Sequence, residues 1–458
     1  GAVLAIGVDI GSGGVRAAIY GPDGAQISGA SRPWSVTPLR TDGLSYDLDA
    51  TLLLQLAFDC VQRAIQRYGG PPEAVSAVSF TGFRDGLVAI DAEGCPVWAY
   101  SNLDRRRPAW WVLESELEQH ARWLSGHKHP GSAAGHLAWL KEVDPLSWRR
   151  IARVLPLHDW IASVFGSEMA TTPSSAGSFG VYDVRAHAWS DRLASELGLP
   201  FTYLPDVAEP FTSTGRVGTH AAAESGLSPG TLIVAAGADI HVAMLGLGAL
   251  QPGDLALLGG SFWQTALVAA SDGSALPSAR FSEHPSSDLW VYELSSSTVG
   301  LSCRSLMQAF YGCSWREYEI QAAVAEFAER AGFHGIVVDL NEGRLQLTQR
   351  LPVAFLTSRE IGLMMIGSLL EWGVHSVAEN VRTFMRYSDT SIDRLLVGGG
   401  VTQSRAVCDF LAGGMPLPIL FARDGDSSLR GAAMCAFLGM GAFSSLEKAA
   451  EAMVPAGD

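Results

Sequence analysis

Positive charge is in short supply in this sequence: 32 lysines and arginines stand against 47 aspartates and glutamates, for a net charge of −15. A surface of that sign repels nucleic-acid phosphates, which excludes a nonspecific nucleic-acid binder. Any anionic ligand then needs a local donor-rich pocket or a metal. Cysteine is scarce as well. Cys60, Cys95, Cys303, Cys313, Cys408 and Cys435 are scattered without metal-ligand spacing, so they read as reduced core thiols rather than a zinc module. A clean membrane span is missing too. The longest apolar run, Leu232 to Leu250, carries Asp239 and His241 near its middle and is loosened by glycine and alanine. That pattern reads as a buried strand–turn–helix. No cationic, leucine-rich leader precedes the first strand, so we expect a cytoplasmic protein. No helix-turn-helix precedes it either, which argues against a sugar-responsive repressor.

What is present is apolar bulk and glycine. Hydrophobic residues make up 48% of 458 positions, enough for two domains with cores of their own. The chain opens on an apolar strand, Leu4 to Ile10, that delivers one carboxylate, Asp9, into Gly11-Ser12-Gly13-Gly14 and returns as Val15 to Tyr20. Glycines let backbone amides crowd around a phosphate, since no Cβ blocks the approach. A carboxylate beside such a loop repels phosphate but can hold the Mg²⁺ that accompanies it. On this turn alone, an ordinary tight hairpin is an equal reading.

A helix with Leu53, Ala57, Cys60, Val61 and Ile65 on one stripe follows, then a strand from Val75 to Phe80 and the loop Thr81 to Gly86. Strands interleaved with helices indicate an α/β fold. Residues 108–215 are tryptophan-rich and read as an inserted lobe; His158-Asp159-Trp160 heads an apolar helix there. The opening then repeats. Leu255 to Leu258, Gly259-Gly260-Ser261 and Thr265 to Val268 form a second glycine hairpin, and Gly260 precedes Asp272 by the same 12 positions that separate Gly11 from Asp23. The echo predicts two related domains facing one another. A helix from about Arg359 to Tyr387 reads as core, and the strand Arg394 to Val397 runs into Gly398-Gly399-Gly400. A strand–Gly₃–helix unit aims backbone amides at a ligand, commonly a nucleotide.

In order and spacing, these landmarks resemble the FGGY family of carbohydrate kinases from nearly end to end. Asp9-Ile10-Gly11-Ser12 through Arg16 matches the first phosphate loop, Gly259-Gly260-Ser261 the second, Gly398-Gly399-Gly400 the adenosine loop, and Gly237-Ala238-Asp239 the catalytic-aspartate segment. The resemblance implies an α/β fold of two duplicated actin-like (ribonuclease H-like) domains, 1–237 and 238–458, with an ATP/substrate cleft between them. It implies ATP and Mg²⁺ as cofactors and Asp239 as general base, accepting a proton from the attacking sugar hydroxyl. A helix-capping role for Asp239 is the structural alternative.

By the same resemblance Asp9 holds the metal. Gly11, Ser12, Gly260, Ser261, Gly399, Gly400 and Gln403 hold the nucleotide, and Arg84 and Asp85 grip substrate hydroxyls. Asp104 and Asp159 are further candidates for the pocket wall. A charged donor beside a charged acceptor suits a polyhydroxylated molecule, whose hydroxyls both donate and accept; a plain ion pair is the alternative. Asp85 and His241 stand where the members most resembled carry glutamate and glutamine.

The expected reaction is ATP-dependent phosphorylation of a hydroxyl on a small, linear sugar-like molecule. A pentulose or polyol kinase, and a nucleotide-binding regulator without kinase activity, are the alternatives. The expected partners are a sugar or polyol, no nucleic acid and no membrane, with a homodimer as the assembly left open.

Overall fold

The computed structural model describes residues 3–35, 43–111, 116–126, 133–272, 276, 278–286, 288–312, 336–339, 344–347, 358–423 and 426–455. Cys313 and Gly273 lie outside them. The chain forms two compact units, one of residues 1–250, 270–292 and 428–454, the other of 251–269, 293–427 and 455–458.

The first unit is built on β1 (Leu4–Gly11), β2 (Gly14–Tyr20), β3 (Gln26–Pro33), α1 (Ala50–Tyr68) and β4 (Val75–Gly82). Asp49 starts α1 by accepting from Leu52 N, and Gly69 stops it in the left-handed region at φ 68°, the conformation glycine adopts without a Cβ penalty. Its buried residues Leu53, Ala57, Cys60, Val61, Ala64 and Ile65 recur at helical spacing and pack with Ile6, Val8 and Val78 in one core. A three-stranded antiparallel sheet follows, β5 (Leu87–Ile90) between β6 (Pro96–Tyr100) and β7 (Arg153–Pro156). Trp98 and, from the inserted segment, Trp139, Trp148 and Trp189 pack against a core that includes Tyr100, Trp111 and Leu137, while Trp110 and Trp123 are exposed. Those four are packing residues. Then come α2 (Leu157–Phe165), β8 (Ser213–Arg216), β9 (Leu232–Ala238) and α3 (Asp239–Leu247). The main sheet has the order β8-β9-β4-β1-β2-β3, with β1, β4 and β9 mutually parallel.

The apolar run 232–250 is thus a strand that passes through Gly237 (φ 136°) and turns at Ala238 into a helix buried along nearly all its length. No side chain but glycine's holds that backbone without strain.

The second unit repeats the pattern with β10 (Leu255–Gly259) and β11 (Trp263–Ala269), then α4 (Val299–Tyr311), α5 (Ser358–Tyr387), β12 (Leu395–Gly398), α6 (Arg405–Gly414) and β13 (Ile419–Phe421). Here too the hairpin is antiparallel and its first strand pairs in parallel with a later one, β10 with β12 and β12 with β13. Helix α5 is long and apolar enough to cross a membrane by length and composition, and 67% of its most apolar window is buried within the protein. Ile366, Leu370, Val377, Val381 and Phe384 are all almost fully buried, as core residues of that spacing are. The chain then returns to the first unit with most of α7 (Ser427–Gly439) and a closing helix, Leu446–Met453.

Candidate active site

Three parallel strands of the first unit end at one level: Ile10 of β1 pairs with Gly82 of β4, and Gly82 with Ala238 of β9. Asp9, the Arg84-Asp85 loop and Asp239 therefore share the carboxyl edge of a single sheet, where open α/β sheets bind ligands. That edge unites four residues scattered over more than half the sequence.

Asp9 is 3% exposed. Its Oδ2 accepts from Arg16 Nη2 at 2.5 Å and from Ser428 Oγ at 2.7 Å, and its Oδ1 is buried with no partner among the described residues. Burying a carboxylate is costly unless it is paired, and leaving one oxygen idle adds to the cost. A hydrated Mg²⁺ fits such an oxygen, because Mg²⁺ takes one or two carboxylates and keeps most of its waters. No cluster of three or more His, Cys, Asp or Glu able to hold a metal occurs among the described residues. A cation at Asp9 would therefore draw its remaining ligands from water and phosphate.

Asp239 is the first residue of α3, and its Oδ1 accepts from the Ile240 amide at 2.8 Å. The N-cap is Ala238, without a side-chain cap bond, and its amide is satisfied by Ser174 Oγ at 3.0 Å. A half-exposed carboxylate in the first turn is favoured by the helix dipole, so both a structural and a chemical role are physically available to it.

Arg84 is 7% exposed, and Asp85 sits in the left-handed region at φ 66°, a strained conformation for a non-glycine residue that concentrates at ligand sites. Arg280 braces Asp85, donating from Nη1 to Oδ2 at 3.1 Å and reaching Ser178 Oγ from Nη2 at 3.4 Å. Two residues on, Ser282 Oγ meets His241 Nε2 at 2.7 Å. His241 is fully buried, and burial followed by the charge of Arg84 holds its pKa well below the usual imidazole value. It is a neutral ring near the guanidinium groups of Arg84 and Arg280.

Asp104 and Asp159 stand apart from this cluster. Both oxygens of Asp104 are consumed: Oδ1 takes the Arg106 amide at 2.9 Å and lies 3.2 Å from His136 Nε2, while Oδ2 takes the Tyr46 amide at 2.7 Å and Arg106 Nε at 2.8 Å. Arg106 is held between Trp98 and Trp139, 4.6 Å from the latter's ring centre. This buried network orders the inserted segment. Asp159, on α2, lines a small cavity together with Phe80, Thr171, Thr172 and Ile233. Burial raises its pKa.

In the second unit three backbone segments converge on the Gly260 loop. A Cβ on Gly300 would fall 1.9 Å from the Gly260 carbonyl, and one on Gly259 would fall 2.3 Å from Val401. Gly399 has φ 88°. These contacts leave room only for bare backbone. Ser261, 9% exposed, accepts from Arg304 Nη2 at 2.5 Å. Burial lowers the pKa of Arg304, yet an arginine stays charged. Gly400–Gln403 is a 3₁₀ turn, so α6 begins only at Arg405, and Gln403 is exposed.

Comparison with known proteins fixes what such edges belong to. A model of the N-terminal domain of the FGGY family of carbohydrate kinases matches residues 4–246. The chain belongs to the FGGY family. Membership makes it an ATP-dependent carbohydrate kinase. It is 27% identical to an autoinducer-2 kinase of Yersinia enterocolitica over 98% of this chain and 88% of that protein. It is 34% identical to an autoinducer-2 kinase of Yersinia pestis over 56% of this chain and 49% of that one. Among solved structures it is similar to a xylulose kinase of Rhodospirillum rubrum, with TM-score 0.80, 19% identity and coverage of 99% and 93%. A glycerol kinase of Plasmodium falciparum solved with ADP gives 0.79, 14%, 100% and 94%. These likenesses establish the duplicated actin-like fold of this FGGY kinase.

Arg280, Arg304 and Ser428 were not foreseen. Each lies far in sequence from the loop it serves, and no local motif marks it.

Proposed function

We propose that this FGGY kinase transfers the γ-phosphoryl group of ATP to a primary hydroxyl of autoinducer-2 in its linear dihydroxypentanedione form, as a cytoplasmic enzyme of quorum-signal processing. The observation that carries the substrate is the near end-to-end match to an autoinducer-2 kinase, 27% identical over 98% of the chain. The neutral His241 near Arg84 and Arg280, with Asp85 held by Arg280, adds to it, since that set offers donors and acceptors to a molecule rich in carbonyl and hydroxyl oxygens.

In this reading Asp239 accepts the proton of the attacking hydroxyl as it adds to the γ-phosphorus and the bond to the β–γ bridging oxygen breaks. Arg84 and Asp85 hold neighbouring substrate oxygens, and Arg280 fixes the carboxylate of Asp85. Ser12 and the amides around Gly11 serve the phosphates from residues 1–237. Gly260, Ser261 and Arg304 serve them from residues 238–458, where Gly399, Gly400 and Gln403 lie along the adenosine. Asp9 would hold Mg²⁺ through water, and the chemistry such an ion would supply there is neutralisation of phosphate charge. Asp104 and Asp159 shape the fold around the pocket rather than touch substrate.

An ADP-release assay with the linear dione, xylulose, other ketopentoses and glycerol tests the assignment. We expect kcat/KM for the dione to exceed that for every ketopentose and for glycerol. Preferential turnover of a ketopentose would transfer the assignment to a pentulose kinase, and no turnover with intact ATP binding would make the chain a nucleotide-binding regulator.

A further inference from the structure

We propose that Ser428 is a positioning residue that dictates which oxygen of Asp9 faces the metal. The inference rests on the reading of Asp9 as the Mg²⁺ anchor and extends it to a residue more than 400 positions away. A carboxylate alone rotates about its Cβ–Cγ bond and offers either oxygen. Here two donors from different elements converge on the same atom, Arg16 Nη2 from β2 and Ser428 Oγ from α7, at 2.5 and 2.7 Å from Oδ2.

Arg16 Nη2 also donates to Ser428 Oγ at 2.9 Å. A guanidinium only donates, so the hydroxyl must accept from Arg16 and direct its single proton at Asp9. The triangle closes with one assignment of hydrogens. It leaves Oδ1 buried and without a partner among the described residues, turned toward whatever the loop binds.

The support for Ser428 is rigid on both sides. A Cβ on Gly7 of β1 would lie 2.4 Å from the Leu429 carbonyl, and a Cβ on Gly431 would lie 1.8 Å from the Val242 carbonyl of α3. The backbone of α7 therefore rests directly on the strand that carries Asp9 and on the helix that begins with Asp239. Arg430 Nη1 adds a bond to the Gly246 carbonyl near the end of α3, at 3.2 Å. A hydroxyl fixed this way costs Asp9 little entropy to engage, which is what preorganisation of a metal ligand requires.

The test compares Ser428→Ala, Ser428→Thr and Asp9→Asn in the full chain. It measures half-saturation by Mg²⁺ at saturating ATP, KM for the sugar substrate, and Mn²⁺ binding in the presence of ADP by electron paramagnetic resonance. Thermal melts confirm that each variant is folded. A hydrogen bond to a charged group corresponds to roughly a tenfold change in affinity or more. We expect Ser428→Ala to weaken Mn²⁺ binding and raise the Mg²⁺ requirement about tenfold while leaving sugar KM unchanged, and Ser428→Thr to restore both. Metal binding unchanged in Ser428→Ala but weakened in Asp9→Asn would overturn the role of Ser428 alone. Metal binding unchanged in Asp9→Asn would overturn the anchor reading and the inference with it.

Discussion

The hairpins β1–β2 and β10–β11 share a frame and differ in charge. Each is antiparallel within itself and lends its first strand to a parallel neighbour, β4 in one unit and β12 in the other. Two steps inward from the closing pair, the first hairpin sets Asp9 opposite Arg16, and the second sets Leu257 opposite Thr265. Leu257 and Thr265 are both fully buried. The turns differ too, with two residues between Gly11 and Gly14 and three between Gly259 and Trp263. The duplicated strand frame thus needs no ion pair for its own stability, because the second copy does without one. An ion pair kept in the first copy, with one carboxylate oxygen idle, points to use. The second copy brings a cation instead, Arg304 on Ser261. In the function proposed above, the first hairpin carries the metal's anchor, Asp9, and the second sets a cation beside its phosphate-side hydroxyl.

That contrast is open to breakage at several points. The largest effect is expected at the shared sheet edge: Asp239→Asn lowers kcat by about 10²–10⁴ if it is the general base, with ADP affinity unchanged by calorimetry. Making the hairpins alike in charge should fail structurally. Leu257→Asp buries a carboxylate with no cation opposite, and chemical denaturation should show a loss of roughly 3–5 kcal/mol. Emptying the second hairpin of its donors is milder. Ser261→Ala and Arg304→Gln should each raise the KM for ATP by about tenfold, the effect of one charge-assisted hydrogen bond, with the KM for sugar unmoved in steady-state kinetics.

The smallest effect lies away from both hairpins. Burial raises the Glu283 carboxyl to about 7, against the opposing pull of His187 at 3.0 Å and of Tyr182. A carboxyl raised in the fold binds more protons folded than unfolded, so stability falls as pH rises from about 4.5 through 7. Glu283→Gln should remove that slope, leaving the protein about 1–2 kcal/mol more stable at pH 8 than the wild type in denaturant melts.

Much of this was legible in the sequence because it is written locally. The apolar run into Asp9, its glycine turn, the echo at Gly260, the strand into Gly398-Gly399-Gly400 and the turn after Gly237 all declare themselves by neighbours in the chain. The loop carrying Arg84 and Asp85 follows a core strand and is legible for the same reason. What stayed hidden was the wiring between distant segments. Ser428 on Asp9, Arg280 on Asp85 and Arg304 on Ser261 are contacts made by the fold, across 419, 195 and 43 positions. Asp104 reads as a pocket residue by its motif, yet its partners Arg106, His136 and the Tyr46 amide exhaust it. A sequence shows a carboxylate but not whether its lone pairs are already committed.

The contrast between the hairpins reduces to one measurement, ADP binding by isothermal calorimetry to Asp9→Asn and Ser261→Ala, each with Mg²⁺ and with EDTA. If the first hairpin serves the metal and the second the phosphates, Asp9→Asn binds ADP as the wild type does in EDTA and loses only the gain that Mg²⁺ confers. Ser261→Ala is then weaker in both conditions. An Asp9→Asn protein that binds ADP as poorly in EDTA as Ser261→Ala does would contradict the account.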